Sequence, residues 1–182
     1  MKKIYYSWQQ VQGAVLDIAR QMSMHNWRPD YIVGITRGGA IPAILLSQYT
    51  GIPMRPLQVS LRDSGDCVSD LGMAEDAIGA VPYEKSKQYG GHKHVEILKK
   101  KILIVDDIND SGATINWIKQ DWPSGCYPDS EEWDQVWGDN VRFAVLTHNQ
   151  SSEFKDPDYS VWTVNKAEDD CWLVYPWEDF WL

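Results

Sequence analysis

Two adjacent aspartates, Asp106 and Asp107, close the apolar run Leu103–Val105, and the segment Asn109–Thr114 (NDSGAT) follows them. The apolar run predicts a buried strand, and Ile115, Ile118 and Trp122 predict a helix directly after the loop. In an open parallel sheet, ligands bind beyond the carboxyl ends of the strands. A loop at a helix N-terminus offers N–H groups and a dipole that favour an anion. Gly112 and Ala113 let the backbone come close, while Ser111 and Thr114 add hydroxyl donors. These are the parts that cradle a phosphate monoester. Acids beside a phosphate would repel it unless they bind sugar hydroxyls or a metal. Mg²⁺ is often held by one or two carboxylates plus substrate phosphates. The combination points to a phosphorylated sugar with free vicinal hydroxyls. The plainer alternative is a strand-to-helix turn capped by Asp and Ser. Two acids at the end of a buried strand are costly without a role, which weighs against it.

A second loop of this type is Gly34–Ala40 (GITRGGA), again after an apolar run and before a helical one. It is not a nucleotide P-loop, because Ala40 and Ile41 stand where a Lys and a Ser or Thr would be needed. Gly38 and Gly39 could expose N–H groups to a pyrophosphate, with Arg37 adding charge. Alone it reads equally well as a turn; beside the first loop it strengthens the anion reading.

The elements that must hold these loops are legible from periodicity. Ser7 and Gln10 form a capping box ahead of Trp8, Val11, Val15, Ile18 and Met22, one face of a helix ending near Asn26. Tyr31–Ile35, Leu57–Leu61, Lys101–Val105, Val141–Leu146 and Ser160–Val164 read as strands. Ala40–Tyr49 reads as a helix with Pro42 in its first turn and Gly51 as its C-cap. Strands alternating with helices predict an α/β fold, a mainly parallel sheet flanked by helices. Residues 62–94 lack a sustained period and read as a long functional loop or lid. Within it His92 and His94 form an isolated pair, two ligands short of a metal site.

The chain has 182 residues, enough for one domain spanning 1–182, and a formal charge of −9. Residues 121–140 carry −6 and residues 168–182 carry −5, leaving +2 for the rest. That balance argues against nucleic acid or an anionic membrane as partner. Eight of the ten Trp lie in residues 117–182, so the acidic, Trp-rich character belongs to the C-terminal third. Residues 121–140 read as an insert, where Trp133 and Trp137 would share a helix face, packed on the body or at an oligomer contact. Cys67, Cys126 and Cys171 are odd in number and far apart, which predicts buried or idle thiols. No run of ~18 apolar residues exists, and residues 4–17 are too polar for a signal peptide, so a soluble, cytoplasmic protein is expected.

IVDDINDSGAT closely resembles the phosphoribosyl pyrophosphate signature of type I phosphoribosyltransferases, and GITRGG resembles their pyrophosphate loop. WLVYPWED resembles the closing segment of xanthine/guanine/hypoxanthine phosphoribosyltransferases. The resemblance implies the type I fold, with a small hood built from both termini over the base site. It implies Mg²⁺-dependent transfer of 5-phosphoribose to a purine nitrogen in purine salvage, with release of pyrophosphate. By position, Asp106 and Asp107 would hold the ribose hydroxyls, directly or through Mg²⁺. Asp110, Ser111, Gly112, Ala113 and Thr114 would bind the 5′-phosphate, and Asp110 would serve as acid/base at the purine N7. Arg37 and Gly38 would hold pyrophosphate. Trp172 would stack on the base, the Leu173 backbone would meet its edge, and Glu178 would sit near the base or a second Mg²⁺. A homo-oligomer is also expected. The family's lysine after the strand Val141–Leu146 is missing; His148 would replace it as donor to a base carbonyl, or face solvent instead. A regulator on the same fold that binds phosphoribosyl pyrophosphate or a nucleotide without turnover is the alternative. Its basic face is not evident here. Transfer to a pyrimidine is disfavoured by the closing segment.

Overall fold

The computed structural model describes residues 2–61, 67–79 and 98–178. The elements run β1 (Lys2–Tyr5), α1 (Trp8–Met24), β2 (Tyr31–Thr36), α2 (Ala40–Thr50), β3 (Met54–Gln58), α3 (Leu71–Ile78), β4 (Ile102–Asn109), α4 (Ala113–Gly125), α5 (Trp133–Val136), β5 (Val141–Asn149), β6 (Tyr159–Val164) and β7 (Cys171–Val174). Five strands pair in the order β3-β2-β4-β5-β6, every pair parallel. β1 and β7 form a separate two-stranded parallel hood.

Strand alternation sorts the core into two layers. Tyr31, Val33, Ile35, Ile102, Ile104, Val141 and Phe143 face α3, α4 and α5. Ile32, Leu103, Val105, Ala144 and Leu146 face α1 and α2. Both faces are covered, which is why these strands read as unbroken apolar runs rather than alternating ones. Pro56 sits in β3, an edge strand, where a missing N–H is tolerated.

The capping box of α1 forms as expected: Gln10 N donates to Ser7 Oγ (3.2 Å) and Ser7 N donates to Gln10 Oε1 (2.8 Å). Val11, Val15, Ile18 and Met22 are buried, but Trp8 is half exposed. It occupies the helix's first position, beyond the sheet, and packs on Trp177 with ring centroids 5.9 Å apart. The third strand lies three residues earlier than the expected Leu57–Leu61, because Met54 through Gln58 pair with Ile32 through Thr36. Part of the expected loop at 62–94 is helical. Asp70 caps α3 through Met73 N (3.0 Å), and Met73, Ala74, Ala77 and Ile78 bury one face. Eight residues were too few for the periodicity to stand out. His92 and His94 lie outside the described residues.

Residues 121–140 are no appendage. Trp122, Trp133 and Val136 are buried, and Trp137 stacks on both Trp133 (5.7 Å) and Phe143 (6.0 Å). The indole of Trp133 donates to Cys126 O (2.9 Å), stapling α5 to the end of α4. Cys126 and Cys171 are buried, Cys67 is half-buried, and all three are free thiols. No described helix is long and apolar enough to cross a membrane. Truncating this packing is expected to be severe. Trp122→Ala should cost about 3–5 kcal/mol of stability, whereas Trp8→Ala should cost less than about 1 kcal/mol. Denaturant unfolding of the two variants side by side checks this contrast.

Candidate active site

The register of the central strands brings the two loops together. Gly34 of β2 pairs with Val105 of β4, so the strands end side by side, Arg37-Gly38-Gly39 following one and Asp110-Ser111-Gly112 the other. A cavity of about 1170 Å³ opens above them. Arg37 and Gly38 line it from one side and Asp106 through Ile115 from the other. Residues at the end of β3 and the pair Trp177 and Glu178 complete the wall. A Cβ on Gly38 would collide with the Asp107 carboxylate, and one on Gly39 would lie 2.7 Å from Asp106 Cα. The glycines there are a condition for the loops to meet. Gly112, the N-cap of α4, has φ +86°, and a Cβ there would press on Phe154 N at 2.5 Å. The Thr36–Arg37 peptide bond is cis.

The acids are anchored by their own backbone. Asp106 Oδ1 accepts from Asp107 N (2.9 Å) and Asp107 Oδ1 from Ile108 N (2.8 Å). Burial, followed by the negative charge of Glu178, pushes the Asp107 carboxyl up to about 6. Glu178 is in turn held by Tyr175 N, which donates to its Oε2 (3.0 Å). The Tyr175 hydroxyl donates to Asp107 O (2.9 Å) and therefore accepts from Thr147 Oγ1 (2.8 Å). Burial, then the Asp107 charge, raises the proton affinity of that phenol well above the ordinary range. Tyr175 stacks on Trp177 (4.9 Å, 2° between planes) and on Tyr6 (5.3 Å), which stacks on Trp162 of β6 (4.2 Å). An aromatic column thus ties the segment after β7 to the main sheet.

The loop at 110–112 is braced from behind by the turn after β5. Asn109 Nδ2 donates to Phe154 O (2.6 Å), and its Oδ1 accepts from Ser152 Oγ (2.8 Å). The same nitrogen meets His148 Nδ1 (3.0 Å), so His148 accepts there and is the Nε2–H tautomer. Burial lowers the proton affinity of His148, in keeping with a neutral ring. Glu153 N donates to Ser111 O (3.0 Å). Asn149 Nδ2 donates to Asp110 O (3.0 Å), and Lys166 Nζ pairs with Asp110 Oδ1 (2.9 Å).

Of the residues singled out in the sequence, Arg37, Gly38, Asp106, Asp107, Asp110, Ser111, Gly112, Ala113, Thr114 and Glu178 all line the one cavity. Three do not. His148 turns to Asn109, Trp172 is 43% exposed on β7, and Leu173 is buried in the core. Trp177 lines the wall instead. Lys166 and Asn149, which belong to no motif, also reach the site through Asp110. Lys166 is the only base in residues 156–182, at the end of a strand and among acids, and that isolation was the available signal. Among the described residues no group of three or more His, Cys, Asp or Glu side chains could hold a metal unaided. Asp107 and Glu178, two repelling carboxylates, match the other arrangement, in which a Mg²⁺ ion takes its remaining ligands from substrate and water.

Comparison with known proteins agrees with this geometry. A family model described as a phosphoribosyl transferase domain matches residues 1–177. Xanthine phosphoribosyltransferase 1 of Saccharomyces cerevisiae is 23% identical, over 97% of this chain and 90% of its own length. A hypoxanthine-guanine phosphoribosyltransferase of Schizosaccharomyces pombe is 22% identical over 97% and 89%. Among solved structures, a purine phosphoribosyltransferase from Pyrococcus horikoshii superposes with a TM-score of 0.61 at 27% identity, covering 100% of this chain and 98% of that one.

The proton on Asp107 gives the cavity a measurable signature. Its affinity is higher in the folded chain than in the unfolded one, where an aspartate titrates near its ordinary 3.8. The resulting stabilisation is complete below about pH 4 and is lost as pH rises through about 6. Asp107→Asn holds the neutral form at every pH. In metal-free buffer the wild type should therefore lose about 1–3 kcal/mol relative to Asp107→Asn between pH 4 and pH 7. Urea unfolding at both pH values measures it, and a pH-independent difference would reject this burial of charge.

Proposed function

The chain belongs to the phosphoribosyltransferase family, and on that premise we propose that it transfers 5-phosphoribose from phosphoribosyl pyrophosphate to a purine of the xanthine, guanine or hypoxanthine type. The observation that carries this reading is the convergence of both anion loops and the acid pair on a single cavity. In the proposed mode the 5′-phosphate rests on Asp110–Thr114, at the N-terminus of α4, where first-turn N–H groups have no partner within the helix. The ribose hydroxyls meet Asp106 and Asp107. Pyrophosphate lies against Arg37 and Gly38.

The reaction forms a bond between a purine nitrogen and the anomeric carbon as the bond from that carbon to the pyrophosphate oxygen breaks. Positive charge builds on the sugar ring between these events. A wall of carboxylates stabilises such charge without any covalent attack by the protein. Asp110 takes the proton that the purine sheds. Asp107 and Glu178, with Asp106 beside them, would hold Mg²⁺, whose contribution is to neutralise the departing pyrophosphate. Trp177, stacked on Tyr175, offers an aromatic wall beside Glu178.

Nucleotide formation from each purine in turn, with phosphoribosyl pyrophosphate and Mg²⁺, tests the reading. Xanthine, guanine or hypoxanthine should be consumed, and no turnover on any purine would sink it. Asp110→Asn should bind phosphoribosyl pyrophosphate within a few-fold of the wild type while losing about 10²–10⁴-fold in kcat. Near-normal turnover in that variant would remove Asp110 from the acid/base role.

A further inference from the structure

We propose that Lys166 is a positioning residue for Asp110, holding the carboxylate from behind so that it meets the base in one orientation; this rests on the proposed role of Asp110. Lys166 Nζ lies 2.9 Å from Asp110 Oδ1, with only 19% and 24% of the two side chains exposed. A pair this sheltered is screened far less than a surface ion pair. Asp110 lines the cavity and Lys166 does not. The ammonium therefore reaches the site through the carboxylate.

Asn149 completes the clamp. Its Nδ2 reaches Asp110 Oδ1 at 3.3 Å as well as Asp110 O at 3.0 Å. Its own Oδ1 accepts from Ser151 N (3.2 Å), Ser151 Oγ (2.8 Å) and Lys166 N (3.1 Å). Three donors on one oxygen fix which way the amide faces. One carboxylate oxygen of Asp110 is thus gripped by an ammonium and an amide. One grip comes from the last residue of β5 and the other from the turn that follows β6, and they are tied to each other through the Lys166 backbone. A carboxylate pinned at Oδ1 cannot swing about its terminal torsion. Lys166 is the only Lys or Arg between residues 156 and 182, so no neighbour in that stretch can take its place.

Steady-state kinetics of Lys166→Met, of Lys166→Arg and of Lys166→Met combined with Asp110→Asn test this in the full chain. Lys166→Met should lower kcat about 10–100-fold, the range that loss of a hydrogen bond to a charged group corresponds to. KM for the base and for phosphoribosyl pyrophosphate should stay within about 3-fold, a limit set well below that loss. Lys166→Arg should recover most of kcat. In the Asp110→Asn background, Lys166→Met should add almost nothing, since two residues that act as a unit are not additive. If Lys166→Met does not fold, Lys166→Gln takes its place in both backgrounds. Unchanged kcat, a rise in base KM alone, or a full additional loss on top of Asp110→Asn would each overturn the proposal. An active wild type with an indifferent Lys166 rejects this inference only; an inactive wild type rejects the functional reading and this inference with it.

Discussion

The backbone at Gly38 runs so near the carboxylate of Asp107 that a Cβ would collide with it, and the site depends on this approach. β2 and β4 are neighbours in register, so the chain leaving one strand passes directly over the end of the other. There is no space between them for even a methyl group. The contact turns two ordinary strand-to-helix turns into facing walls of one cavity. A side chain at residue 38 or 39 would push the walls apart before it touched any ligand. The buried apolar strands beneath supply the rigidity that such a contact needs, because a core packed on both faces does not yield to a local push.

The second wall depends on the hood. Residues 175–178 leave β7, yet they reach the cavity because an aromatic column from Trp162 through Tyr6 and Tyr175 to Trp177 fastens them to the sheet. The Tyr175 hydroxyl adds direction, since its single proton goes to the Asp107 carbonyl. The Trp content that looked like one property of the C-terminal third therefore splits in two. Trp122, Trp133 and Trp137 fill the α3–α4–α5 layer, while Trp162 and Trp177 belong to the column that reaches the site.

The motif-bearing loops were legible because their chemistry is local. A strand, an acid pair and a Gly-containing turn into a helix are contiguous in sequence, and ten of the singled-out residues meet in one cavity. What was not legible depends on long-range contact. Asn149 and Lys166 reach Asp110 across 39 and 56 positions of chain, through a turn and a strand pairing that no periodicity announces. Asn109, the partner of His148 Nδ1, lies on the neighbouring strand, a contact that no local pattern announces. Trp172 and Trp177 differ by five positions, and only the course of the chain after β7 decides which of them lines the cavity. α3 escaped notice for a different reason: two turns of helix amid polar residues give too little pattern to read.

Charge also reads differently once located. The acids of 121–140 decorate a layer whose interior is tryptophan, so most of that −6 faces solvent. In the C-terminal segment Asp169 is paired with Lys2 at the surface, whereas Glu178 turns to the cavity. The described cavity wall holds four carboxylates, Asp106, Asp107, Asp110 and Glu178, against the single cation Arg37. Lys166 offsets one of the four from behind. A bare polyanion entering such a cavity meets net repulsion over a distance where screening is weak. Phosphate binding and an acidic wall are compatible only if the anion arrives with its own cations or if a carboxylate takes up a proton. Asp107, raised by burial and by Glu178, is the group in the wall prepared to do either. The charge that costs the fold stability at Asp107 is thus placed where a proton or a cation relieves it most.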